Sequence, residues 1–196
     1  MQLAAATKAQ PQVHLFRGFA NVFSLGLDTM ASEIEEAGVA ASVHGHVAWA
    51  AVAAEIVAKY KQDKRNRPVV LIGHSLGAGA VVRLAERLNQ EKIPVDLLVM
   101  IGLPGSETVP PNVIRAFNIQ PDGADAQVTP RDGFRGELGS INMNNQPDML
   151  SAGRSNHFTM ESNTQLHKRI VSEVLRAVRS KRAASWGQIV NPTHSM

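Results

Sequence analysis

The stretch Gly73-His74-Ser75-Leu76-Gly77 joins a short apolar run to an alanine- and leucine-rich segment with helical spacing. Gly-x-Ser-x-Gly at a strand-to-helix junction is the pattern of a nucleophile elbow, a sharp turn that lifts a serine Oγ clear of a sheet. Glycines two residues before and after the serine let strand and helix approach without Cβ clashes. The start of the following helix aims free N–H groups and positive dipole at an anion formed during acyl transfer. The chemistry this implies for Ser75 is attack on a carbonyl carbon. The competing reading is a glycine-rich turn that packs tightly, with Ser75 as an ordinary helix N-cap.

The elements around the elbow must hold it. Residues 13–16 (VHLF) read as a strand ending at Arg17-Gly18-Phe19. Leu27, Met30, Ile34 and Ala37 recur at helical spacing, with Asp28 as the expected cap and Gly38 as the stop. VAASVHGH (39–46) reads as a second strand. Trp49, Val52, Ala53, Ile56, Val57 and Tyr60 then mark one helix face. VVLIG is the third strand, followed by a helix with Leu76, Ala80, Leu84 and Leu88 on one stripe. PVDLLVMIG (94–102) and NVIRAFNI (112–119) are the fourth and fifth strands. Strands that are apolar throughout are buried on both faces, and alternating helices imply right-handed crossovers. The expected fold is therefore α/β, a doubly wound, mostly parallel sheet of about five to six strands with helices on both faces.

One connection resists this scheme. Only about ten residues separate the fourth and fifth strands, fewer than a parallel crossover takes. LPGSETVPP must make an abbreviated crossover, or one of the two strands is misplaced. From 121 to 160 the composition shifts to Pro, Gly, Asn and Asp, with one strand candidate at 136–143 (GELGSINM). A loop-rich region of this length inside a compact domain points to function. Residues 161–179 return to helix, with Ile170, Val171, Val174, Leu175 and Val178 inward. The whole chain, 1–196, reads as one domain with a core at about 13–180 and flexible tails at 1–12 and 183–196.

GHSLGAGAVVRLAERL together with HLFRGFANVFSLGLD resembles the α/β-hydrolase superfamily, among its small lidless bacterial esterase and lipase-like members. The likeness runs from about residue 13 to 178, and the elbow is its most specific part. In that superfamily the triad follows the chain order Ser, Asp or Glu, His. The resemblance implies His157, in GRSNHFTME, as general base, since it follows the strand at 136–143 and precedes the last helix. His74 adjoins the nucleophile, but consecutive side chains diverge at an elbow. His14 lies in a strand, His167 on a helix and His194 in the tail. His44 and His46 are a possible metal pair, yet no further ligand cluster accompanies them.

For the acid, the resemblance favours Asp122, just past the fifth strand. Asp125 and Asp148 are alternatives. Some relatives place an Asp-Pro after the fourth strand; this chain has Gly102-Leu103-Pro104 there, so an acid at that site is missing. Asp96, at the start of its strand, lies at the wrong sheet edge. The oxyanion donors implied are the backbone N–H groups of Leu76 and of Phe19 or its neighbour Ala20. Arg17 either binds a substrate anion or makes a surface ion pair. Phe19, Phe23 and Leu25 either line an acyl pocket or belong to the core.

Composition excludes other classes. The 196 residues carry a net charge of +3 and contain no cysteine, which rules out disulfides, cysteine nucleophiles and thiolate metal sites. Aromatic residues are 5% of the chain, too few to interleave a basic nucleic-acid surface. No apolar run approaches the roughly 18 residues that suggest a membrane span. The start, MQLAAATKAQPQ, does not read as a signal peptide. The compartment stays open between bacterial cytoplasm and periplasm or secretion. The expectation is a serine hydrolase of carboxylic esters or thioesters, using no metal and no organic cofactor. The alternatives are a non-catalytic binding protein of the same fold and an acyltransferase using the same Ser–His pair.

Overall fold

The structure, a computed structural model, describes residues 10–19, 25–121, 126–150 and 153–190, with only the course of the backbone from 181 to 190. Six strands form one parallel sheet: β1 (Gln12–Arg17), β2 (Ala41–Gly45), β3 (Val69–His74), β4 (Leu97–Ile101), β6 (Arg115–Gln120) and β8 (Glu137–Asn142). Their order is β2-β1-β3-β4-β6-β8, and every pairing is parallel. The central strands are buried from end to end: all of β3 and β4 is inaccessible. This is why they carry unbroken aliphatic runs with no polar alternation.

Helices cover both faces. α2 (Trp49–Gln62) and α3 (Leu76–Gln90) pack on one side against Phe16, Leu71, Leu98 and Met100. α1 (Gly26–Glu36) and α5 (Thr164–Val190) pack on the other against Leu15, Ile72, Val99 and Ile101. Successive residues of one strand thus feed opposite cores, as the pleat requires. The order in which strands are added reverses between β1 and β3, a switch point at whose C-terminal ends open α/β sheets bind ligands.

The short connection between β4 and β6 is the abbreviated crossover. It contains a three-residue strand, β5 (Glu107–Val109), in place of a helix. The next crossover, from β6 to β8, contains β7 (Val128–Pro130), and β5 and β7 pair with each other in a separate two-stranded parallel sheet. A short helix, α4 (Pro147–Leu150), follows β8.

Several local expectations need correction. The N-cap of α1 is Leu25, not Asp28; Asp28 lies in the first turn of the helix and pairs with Arg17. β2 is shorter than 39–46, because Val39 turns into the core beneath α1. Residues 94–96 precede β4, where Val95 makes only an isolated bridge to Val113. α5 runs on to Val190, past the point at which its apolar pattern ends. Of the expected tails at 1–12 and 183–196, residues 1–9 and 191–196 lie outside the described residues, while Gln12 opens β1 and residues 183–190 continue α5.

Candidate active site

Ser75, between β3 and α3, has φ 57° and ψ −122°, a left-handed conformation rare for a residue with a Cβ. Such a backbone costs on the order of 1–3 kcal/mol and persists only where its surroundings enforce it. The enforcing contacts are the two glycines. A Cβ on Gly73 would fall 2.2 Å from the carbonyl oxygen of Gly77, and one on Gly77 would fall 2.0 Å from that of Phe16. The Ser75 N–H donates to Ile101 O at 2.9 Å, tying the elbow to β4. Ser75 stands at the N-cap position of α3, but its side chain makes no capping hydrogen bond there and is turned instead to His157. Leu76, the first residue of α3, holds one of the amides a helix start leaves without an intrahelical partner.

His157 lies in the loop before α5. Its Nε2 is 3.0 Å from Ser75 Oγ, joining residues 82 positions apart. The loop is held by side chains rather than by a sheet. Asn156 Oδ1 accepts the N–H groups of Phe158 and Thr159 at 2.8 and 3.1 Å. Buried Asn144 donates to Ser155 O at 2.9 Å and accepts from Ser155 N at 3.0 Å. Asn163 caps α5 by accepting from Gln165 N and Leu166 N, while its amide donates to Met149 O.

His74 completes the arrangement. Its side chain diverges from Ser75, but its Nε2 donates to the backbone oxygen of His157 at 2.9 Å. Burial lowers its pKa to about 4, opposed by that hydrogen bond and assisted by the neighbouring His157. His74 is therefore a neutral, Nε2-protonated strut at neutral pH. A polar residue ending a fully apolar strand was the available signal for this role.

The remaining sequence candidates are placed as follows. Asp122 and Asp125 lie outside the described residues, as do Ala20 and Phe23. Asp148 is exposed on the first turn of α4. Among the described residues, no carboxylate hydrogen-bonds His157 Nδ1. Asp96 is buried at the far edge of the sheet, bound by Arg67 at 2.7 Å and by Val69 N at 2.9 Å. Arg17 Nε donates to Asp28 at 2.9 Å, so the ion-pair reading holds, and this partner raises the Arg17 pKa. Phe19 and Leu25 are 70% and 61% exposed, so neither belongs to the core.

His44 and His46 do not converge on a metal. His44 Nε2 meets His14 Nδ1 at 3.1 Å, whereas His46 Nδ1 faces Gly18 O at 3.2 Å. Among the described residues, no group of three or more potential ligands is positioned to hold an ion. His167 is buried between Glu161 O and Glu33 Oε2, at 2.7 and 3.0 Å.

A parallel sheet with helices on both faces and a strained serine at its central strand-to-helix turn defines an α/β-hydrolase. The family model described as Thioesterase domain matches residues 3–146, and the chain belongs to that family. The match includes Ser75 and ends before His157. No curated protein matches the chain. Among the described residues, no helix is long and apolar enough to cross a membrane.

Proposed function

We propose that this protein hydrolyses acyl thioesters, and related carboxylic esters, through an acyl-enzyme on Ser75. The 3.0 Å approach of His157 Nε2 to Ser75 Oγ is the observation that carries this reading. His157 takes the hydroxyl proton as Oγ attacks the carbonyl carbon. The amides of Leu76 and Phe19 receive the developing oxyanion. The imidazolium then returns its proton to the departing thiolate or alkoxide. Water attacks the acyl-enzyme, its proton passes to His157 and then to Ser75 Oγ, and the carboxylic acid leaves.

Asp122 is the proposed acid, holding the imidazole tautomer and balancing the imidazolium. A thiolate is a weaker base than an alkoxide and needs less general-acid help, so thioesters place the lighter demand on this support. The protein's lack of cysteine leaves thiol release free of background. Thiol-detecting turnover of a short acyl thioester, with fluorophosphonate labelling, tests the proposal. Wild type should turn over and label, and Ser75→Ala should do neither, with the far-UV spectrum unchanged. Equal turnover by Ser75→Ala removes the proposal.

A further inference from the structure

Glu161 is a buried carboxylate, 3% exposed, in a single 3-10 turn (Met160–Ser162) just beyond His157. Ser162 Oγ donates to its Oε1 at 3.0 Å, whereas among the described residues Oε2 makes no hydrogen bond of ordinary geometry. What the carboxylate faces is the start of α1. A Cβ on Gly26 would fall 2.2 Å from both Glu161 O and Glu161 Oε2, so only a glycine admits so close an approach. Gly26 and Leu27 open α1, and a helix start leaves such amides without intrahelical partners. The positive end of the helix dipole favours a negative charge there. Burial raises the Glu161 pKa, while Ser162 Oγ, the Gly26 amide, His167 and the Leu27 amide each act to lower it.

The turn is gripped from α5 as well. His167 Nε2 donates to Glu161 O at 2.7 Å, and His167 Nδ1 meets Glu33 Oε2, also on α1, at 3.0 Å. Met160, immediately before Glu161, is fully buried beside His157: a Cβ on Gly102 would lie 2.9 Å from Met160 Sδ and 3.1 Å from His157 Nδ1. The segment from His157 to Glu161 thus has one end at Ser75 and the other on α1. In the chain, α1 follows the segment that carries Phe19, the proposed second oxyanion donor. We propose that Glu161 is a positioning residue: by closing on the start of α1, it sets the loop of the base against the segment of the second oxyanion donor. This rests on the reading of Ser75 and His157 as the working pair. Without the carboxylate the two segments lose their direct link, and a misplacement of about an ångström costs about 100-fold in rate.

The test compares Glu161→Ala and Glu161→Gln with wild type in short acyl thioester turnover, each rate divided by the fraction of enzyme that finally labels with fluorophosphonate. Glu161→Ala should lose about 100-fold in kcat, with KM within about twofold of wild type. Glu161→Gln still offers the amides an oxygen but not the charge that a helix start favours, so it should lose only about tenfold. A residue that merely stabilises the fold would lower the unfolding midpoint and leave kcat per labelled molecule unchanged. That result overturns the proposal, as does a loss confined to KM. If Glu161→Ala does not fold, kcat of Glu161→Gln against wild type decides: a tenfold loss supports the proposal and an unchanged value overturns it. Ser75→Ala, measured alongside, separates the two readings. Turnover that survives Ser75→Ala removes the hydrolase reading and this role with it, whereas turnover lost in Ser75→Ala but intact in Glu161→Ala removes the role of Glu161 alone.

Discussion

The two members of the Ser75–His157 pair are held in opposite ways. Ser75 is fixed by backbone: its strained φ, the close approach that Gly73 and Gly77 allow between β3, α3 and β1, and the hydrogen bond to β4 all lie at the central strand-to-helix turn. His157 is fixed by side chains reaching into a loop from four places: Asn144, Asn156, Asn163 and His74. The nucleophile is therefore a property of a local fold, whereas the base is a property of collective tertiary packing. Damage near Ser75 should take folding with it. Damage near His157 should cost rate before stability.

The largest expected effect is Gly77→Ala. Its Cβ meets a backbone oxygen in β1, which has no side-chain freedom with which to yield. A destabilisation on the order of 4 kcal/mol, read from urea unfolding midpoints, should accompany complete loss of labelling. A stable, inactive Gly77→Ala would contradict the assignment of the elbow to the fold.

Next comes acid sensitivity through His74, the strut between the two regions. Its folded pKa of about 4 lies below the ordinary value of 6.5, so the unfolded chain takes up the proton first. Stability is fully present above pH 6.5 and is lost as pH falls from 6.5 towards 4, by up to about 3 kcal/mol. His14 carries a similar liability: burial foremost, then His44, lowers its pKa to about 4. Unfolding measured at pH 7 and pH 4.5 should show a smaller difference in His74→Phe than in wild type. An unchanged difference would show that His74 is not buried neutral.

Asn144→Ala removes both hydrogen bonds to Ser155 and should cost about 2 kcal/mol, with kcat down about tenfold or more. Thioester turnover at a temperature where the variant stays folded separates the two effects. The smallest effect is His74→Phe at neutral pH. The aromatic volume remains and the bond to His157 O is lost, about 1 kcal/mol of stability. Its turnover should fall more than its unfolding midpoint, if loop placement is what His74 supplies.

The same contrast explains what could be read from sequence. Most helix-face positions, all six strands of the main sheet and the elbow follow from spacing within twenty residues, although Ala37 falls past the end of α1 and Leu76 is exposed rather than on the buried stripe of α3. β5 and β7 were not visible, because three-residue strands in Pro- and Thr-containing loops have no period; they exist only by pairing with each other. Asp28 read as a cap because its type suits one, but Arg17 competes for its carboxylate. Chain order under the family resemblance pointed to His157. The asparagines that hold it carried no signal, since their partners are backbone groups brought near only by the finished fold. Gly102 was legible as an absent acid, while its contact with the imidazole was not.

The β5–β7 pair carries a consequence for one flank of the sheet. Each strand lies in a different crossover, β5 between β4 and β6 and β7 between β6 and β8, so their ladder ties the two connections together. It acts as a clasp between the two connections on that flank, outside the main sheet. Hydrogen exchange should find its amides opening together, ahead of the core strands β3 and β4, as one cooperative unit.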